Sequence, residues 1–438
     1  MTNFAYDFSG SLARAKANVA WQGQGRVTEV VGLTVEARGF RASIGELCRI
    51  GQGEAAIEAE VVGFSGDKLF LFPFRSLYGI SPGSIVEPLR QRLVVDCGEH
   101  LLGRVIDGLG RPLTGSSLLP TGRTYPLDQV PPNPMSRTRI AEVLETGVKA
   151  IDLFLTAGHG QRLGIFAGSG VGKSTILGMI ARGSTADCNV IALVGERGRE
   201  VRDFLEKDLG PEGLKRSVVV VATSDQSALL RIKAALTATA VAEYFRDQGK
   251  NVMLLMDSVT RFAMSQREIG LAIGEPPTTR GYPPSVFAML PKLLERSGTG
   301  ERGAITALYT VLVEGDDMNE PIADTVRGIL DGHIVLSRHL AERNHYPSID
   351  ILQSVSRLAT ELAEPAHLKL VSECRSLLAV YKQNEDLINI GAYIRGGSRE
   401  IDESIDKAPR IMSVLAQGID ERYSLAEALA QLQKVMAR

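Results

Sequence analysis

The stretch Ala167-Gly168-Ser169-Gly170-Val171-Gly172-Lys173-Ser174 follows an apolar run, Leu163 to Phe166, and leads into Thr175-Ile176-Leu177. That order is strand, glycine-rich loop, helix. Glycines at 168, 170 and 172 let the backbone curl until successive N–H groups point inward at an anion, and the helix N-terminus adds the positive end of its dipole. The spacing therefore predicts a phosphate cradle running from Gly168 through Ser169, Gly170, Val171 and Gly172 to Thr175. Lys173 would reach the β- and γ-phosphates, and the Ser174 hydroxyl would supply one ligand to Mg²⁺. The first position of the usual G-x-x-x-x-G-K-[ST] spacing is Ala167 here, a small departure because Gly168 and Gly170 keep the loop flexible.

The rest of the chain has room to build around such a loop. With 438 residues, 44% of them hydrophobic and 23% charged, it has the composition of an ordinary globular protein with about three domains. Forty-nine basic residues against 51 acidic ones leave a net charge of −2, and no basic run marks a nucleic-acid-binding tail. Cys48, Cys97, Cys188 and Cys374 are scattered without C-x-x-C spacing, as buried thiols of a reducing compartment would be. No apolar run approaches the roughly 18 residues of a transmembrane helix and no secretory h-region is present, which predicts a cytoplasmic protein.

In chain order, Phe4, Phe8, Leu12, Ala15 and Val19 recur at helical spacing. This predicts an amphipathic arm over residues 1–24, either a docking element or a helix packed on its own domain. Short β-rich runs follow (Arg26 to Val31, Leu33 to Ala37, Glu58 to Phe64, Lys68 to Phe72), which suggest a small barrel or sandwich over 25–95. Ile57, Ala59 and Val61 alternate with Glu58 and Glu60, as in a strand with one wet face. Phe64, Phe70, Phe72 and Phe74 alternate like core. A Gly/Pro-rich stretch from Gly103 to Pro134 reads as a linker. Beyond it, apolar strands (Asn189 to Val194, Ser217 to Ala222, Val252 to Met256) alternate with helices (Arg199 to Leu209, Ser227 to Phe245, Thr260 to Ala272). That pattern predicts a mostly parallel sheet covered on both faces, in an α/β domain over 96–358. Residues 359–438 read as helices alone.

Two acids sit where strands end. Asp257 closes the Val252–Met256 run, at the sheet edge where ligands of open α/β folds bind, and in a P-loop protein it would hold Mg²⁺, usually through water. Glu196, in Gly195-Glu196-Arg197-Gly198-Arg199-Glu200, follows another apolar strand. A carboxylate there either orients the attacking water or merely complements a helix dipole, and spacing does not separate the two.

Longer motifs do. At GERGREVRDF (195–204), MDSVTR (256–261), GEPPTTRGYPPSVF (274–287), YTVLVEGDD (309–317) and DGHIVLSR (331–338), together with the loop at 168–175, the chain closely resembles the type III secretion ATPases, with the flagellar export branch the better match. These are relatives of the catalytic subunit of rotary ATP synthases. The resemblance implies an N-terminal β-barrel, a RecA-like P-loop core and a helical C-terminal domain. It implies ATP and Mg²⁺ as ligands, with Lys173 and Ser174 at the phosphates and metal, Asp257 as the strand-end acid, and Glu196 as the catalytic carboxylate with Arg197 beside it. Tyr346 matches the tyrosine that stacks on adenine, and Arg357 the arginine finger that neutralises charge on the transferring phosphoryl group. A finger acting across a subunit boundary requires assembly, and the resemblance implies a homohexameric ring with heterologous contacts, Glu196 in the same chain as the finger favouring a homomer. The implied partners are a stator-like regulator at the N-terminal arm, a coiled-coil stalk at the C-terminal helices, export chaperones and substrates, and a membrane export gate. The expected location is cytoplasmic, peripheral to the inner membrane. A virulence-type secretion ATPase shares nearly every motif; an RNA translocase of the Rho type and a non-catalytic ring subunit are the readings from other classes.

Overall fold

The computed structural model describes residues 23–114, 123–313, 315 and 317–437. The amphipathic stretch read over residues 1–20 lies outside them. The chain forms two compact units, divided between Leu93 and Val94.

The first unit is a closed barrel of β1 (Gly25–Val31), β2 (Thr34–Arg38), β3 (Glu46–Ile50), β4 (Ile57–Ser65), β5 (Lys68–Pro73) and β6 (Ile85–Arg92), in the order β1-β2-β5-β4-β3-β6. Its interior is filled from alternate positions: Val35 and Ala37, Cys48 and Ile50, Ala59 and Val61, Leu69 and Leu71. The strands β3 and β6 escape pattern reading, β6 because Pro88 interrupts it. Two expectations change. Glu60, read on a wet face, is buried, paired across the sheet with Leu47 and Phe72. Phe64, read as core, is 63% exposed. It faces Leu69 one step from the hairpin tip, where β4 runs past the last packed layer.

The second unit is built on a nine-stranded sheet. Its strands are β7 (Arg104–Asp107), β8 (Arg162–Ala167), β9 (Cys188–Glu196), β10 (Ser217–Thr223), β11 (Asn251–Asp257), β12 (Ala304–Leu312), β13 (Gly332–Leu336) and β14 (Val355–Ser356), ordered β14-β13-β8-β12-β11-β9-β10-β7. A short strand, Gly298–Thr299, pairs with β12 off that path. Neighbours along the path from β13 to β7 are parallel, and β14 runs antiparallel to β13. β9, β10 and β11 are almost wholly buried, which is why they read as unbroken apolar runs. The linker reading of Gly103 to Pro134 fails at its start. Arg104–Asp107 is an edge strand on β10, too short to register against the glycines around it, and the Thr237 hydroxyl donates to the Gly108 carbonyl at 2.7 Å.

Helix α1 (Lys173–Gly183) follows β8, α2 (Gly198–Asp203) follows β9, and α3 (Ala228–Asp247) covers β9, β10 and β11. Helix α4 (Val259–Ala272) follows β11. The C-terminal helices α5 (Pro365–Asn389), α6 (Arg399–Leu415) and α7 (Leu425–Met436) share one apolar cluster with the sheet, through Cys374, Leu378, Ile411 and Leu432. All four cysteines are free and buried, and burial pushes each thiol up to about 12. Such thiols are unreactive. Among the described residues no helix is long and apolar enough to cross a membrane.

Candidate active site

Parallel pairing brings the carboxyl ends of β8, β11 and β9 to one edge. Ala167 ends β8 in register with Leu312, and Asp257 ends β11 in register with Leu193 of β9. The loop leaving β8 turns at Gly170 (φ +78°) and Gly172 (φ +89°), left-handed positions that suit glycine, and Gly172 caps α1. A Cβ at Gly170 would meet nothing within 4 Å, so the concavity is open to a ligand. Ala167 is the buried last residue of the strand, its carbonyl accepting from Val313 N–H at 3.0 Å. A glycine is not needed there, which accounts for the departure from the usual spacing.

Lys173, Asp257 and Glu196 converge. The Lys173 Nζ lies 2.6 Å from Asp257 Oδ1 and 3.4 Å from Glu196 Oε1. Asp257 is 3% exposed and also accepts from the Thr310 hydroxyl at 2.8 Å. Burial opposes charge on Lys173, but the Asp257 and Glu196 carboxylates hold its pKa above the usual lysine value. Glu196 is aimed by its neighbour. The pairing of β9 with β10 slips between Val194 and Glu196, where Gly195 takes φ +74° against the Arg261 side chain. Burial, and then the charge of Asp257, push Glu196 up to about 7. It shares a hydrogen bond with Glu200, whose carboxyl that bond holds below the usual range.

Other expected residues fall at different distances from this centre. Ser174 and Thr175 begin α1, half-buried, and Thr175 hydrogen-bonds Asp208. Tyr346 lines a cavity of about 410 Å³ with Gly172, Met179, Pro347, Gln417 and Ile419, and its ring lies 3.6 Å from where a Cβ on Gly172 would begin. Apolar walls beside a phosphate loop suit a purine. Arg197 turns out to solvent and pairs with Glu200 at 3.3 Å, its side chain 80% exposed. Arg357 is not in this site. It follows β14, whose Ser356 pairs with Gly332 at the start of β13, while the loop leaves from the other end of β8. From Leu163 to Ala167 that strand alone spans roughly 13 Å.

Pattern reading misses Arg261, in the first turn of α4 against Gly195. Among the described residues its half-buried guanidinium has no hydrogen-bond partner for Nε, and its side chain packs on Gly195, next to Glu196. A basic residue four positions after the strand-end acid was the available signal. The donor set fits the ligands implied: hard oxygens of Ser174 and Asp257 suit Mg²⁺, and an open nest of N–H groups suits phosphate.

A phosphate loop at the carboxyl edge of a parallel sheet, with a lysine between two carboxylates and a purine-sized cavity alongside, defines a P-loop nucleoside triphosphatase. Residues 147–356 match the nucleotide-binding domain of the ATP synthase alpha/beta family, residues 27–90 its beta-barrel domain, and residues 363–434 the T3SS EscN ATPase C-terminal domain. The chain is 60% identical to the flagellum-specific ATP synthase of Bacillus subtilis over 93% of its own length and 94% of that protein's. Among solved structures it is similar to the assembled ATPase EscN of the enteropathogenic E. coli type III secretion system (46% identity, TM-score 0.88, covering 94% of this chain and 99% of that one). It is also similar to EscN in complex with its central stalk EscO (47% identity, TM-score 0.86, covering 94% and 99%). The chain belongs to the ATP synthase alpha/beta family, in the branch of the flagellar and type III secretion ATPases.

Proposed function

We propose that this ATPase hydrolyses MgATP at the interfaces of a homohexameric ring and energises export of flagellar proteins. The observation that carries the reading is Lys173 held between Asp257 and Glu196 at the mouth of the phosphate loop. On binding ATP, Lys173 exchanges its carboxylate partners for phosphate oxygens, and the N–H groups of residues 168–174 surround the β-phosphate. Mg²⁺, held by Ser174 and, through water, Asp257, would offset phosphate charge. Glu196, partly freed, accepts a hydrogen bond from water in line with the leaving oxygen. Tyr346 packs on the base. Arg357 serves a neighbouring subunit, where a finger is worth roughly 10³ to 10⁵ in rate; its exposure and its distance from its own loop support that reading. With Arg197 engaged by Glu200, a direct role for it would need that pair to open.

Assembly and a central stalk are features of EscN, and we extend them to this chain as a ring whose C-terminal helices meet a coiled-coil stalk. A stator-like regulator at the N-terminal arm, chaperones with their cargo, and an export gate complete the proposed set. The setting is the cytoplasmic face of the inner membrane. The decisive experiment is Mg²⁺-ATPase activity per chain against protein concentration. Activity that climbs with concentration and vanishes in Arg357→Ala supports an interfacial site; flat activity where monomers predominate would sink it. Loss of flagellar filaments on deletion, with restoration by the wild-type chain alone, separates flagellar from virulence export.

A further inference from the structure

Arg162 and Asp331 are joined four ways. The Arg162 N–H and Nε donate to Asp331 Oδ2 at 3.0 and 3.1 Å, its second guanidinium nitrogen donates to Oδ1 at 3.1 Å, and the Asp331 N–H donates back to the Arg162 carbonyl at 2.8 Å. The pair is largely buried, with the Arg162 side chain 15% exposed. A bidentate fork of this kind fixes both groups in orientation as well as distance.

What the fork fixes is the backbone at Arg357. The carbonyl of Asp331 accepts the Arg357 N–H at 3.0 Å and the Gln161 side-chain amide at 3.2 Å. That amide also donates to the Ser356 hydroxyl at 3.0 Å, which donates to the Thr156 carbonyl at 2.9 Å. Among the described residues, the guanidinium of Arg357 hydrogen-bonds the Arg327 carbonyl alone, at 3.3 Å, near the surface. Its reach is therefore set from its root.

We propose that the Arg162–Asp331 pair is the positioning device for Arg357, and that it ties the finger offered to the next subunit to this subunit's own phosphate loop. The tie is β8: Arg162 opens that strand and Ala167 ends it at the loop, with six residues between two parallel neighbours. Such a strand moves as a unit. A shift of the loop on nucleotide binding is transmitted to Asp331 and so to the root of Arg357. The inference rests on Arg357 acting in trans.

The test uses full-length chains and mixed rings. Asp331→Asn keeps the shape but removes the charge that holds the fork. It should lower kcat by roughly tenfold or more, a misplacement effect, while KM for ATP stays within about twofold and ring assembly is unchanged. Arg162→Lys, which keeps the cation and loses the fork, is the second variant should Asp331→Asn fold poorly, with the same expected split. Co-expressed with Lys173→Ala, which has a dead loop and an intact finger, Arg357→Ala should show more activity than the sum of the two alone, and Asp331→Asn should do the same. Rescue of Arg357→Ala but not of Asp331→Asn or Arg162→Lys overturns the positioning role alone. No rescue of Arg357→Ala overturns the finger in trans and this proposal with it.

Discussion

The Ser348 hydroxyl donates a 2.6 Å hydrogen bond to the carbonyl of Val171, fastening the segment that carries Tyr346 to the phosphate loop. Both groups are buried, so deleting the hydroxyl leaves a carbonyl without its partner, at about 1–3 kcal/mol. In Ser348→Ala, KM for ATP is expected to rise several-fold, with kcat changing less. Steady-state kinetics with ATP checks it; an unchanged KM would show that the base wall and the phosphate loop are set independently.

Besides the chemical role proposed for it, Lys173 pairs with the buried Asp257. In Lys173→Ala, hydrolysis should fall below detection, and Asp257 is left buried without its cation. Breaking a buried pair in this way costs about 3–5 kcal/mol. Denaturant unfolding should show a loss of that order, reduced in Lys173→Met/Asp257→Asn, where both charges are gone. Equal losses in the single and double variants would contradict the pairing.

As the proposed water-orienting carboxylate, Glu196 is expected to set the pH dependence. Burial and Asp257 raise its pKa from the ordinary 4.5 to about 7, so the folded protein keeps a proton that the unfolded chain has already shed. The corresponding stability is fully present below the ordinary value and is lost as pH rises through about 7. Glu196→Gln should therefore raise the Tm by a few degrees at pH 8 and change it little at pH 4.5. A water-orienting base works only when ionised, so kcat/KM should rise from pH 6 to pH 8 and level off. A flat profile over that range would remove Glu196 from the role.

Gly178, inside α1, illustrates packing over propensity. Alanine is favoured in a helix interior by about 1 kcal/mol. At this position, however, a Cβ would lie 2.5 Å from the Asp208 carbonyl oxygen. Gly178→Ala is expected to destabilise by about 1–3 kcal/mol, through overpacking against the segment Phe204–Leu209. A stabilised variant in denaturant melts would mean that segment yields.

The phosphate loop was legible because its residues are contiguous and its backbone geometry demands glycine. Asp257 and Glu196 were legible because buried parallel strands write themselves as apolar runs, and a single acid at the end stands out. What stayed hidden lies where neighbours come from afar. Thr310 and Ser348 are ordinary hydroxyls until the sheet brings them to Asp257 and Val171. Arg261 is one more helical arginine until Gly195 packs on it. The strand Arg104–Asp107 hides among glycines because an edge strand of four residues carries no periodicity. Phe64 misled because alternation reports parity along a strand, and its exposure depends on how far the strand outruns the packed interior.

Gln417 sits some 240 residues beyond the phosphate loop, yet its N–H donates to the Tyr346 carbonyl at 2.9 Å, and its side chain spans the Lys149 N–H and the Gly147 carbonyl. With Gly418 and Ile419 it forms one wall of the cavity beside Tyr346. A chain shortened after α6 to remove a surface for stalk or chaperone would also breach the cavity proposed to enclose the nucleotide base. Failure of such a truncation to support secretion would report lost ATP affinity as readily as a lost partner. Point substitutions on the outer faces of α5 and α6 are the cleaner instrument.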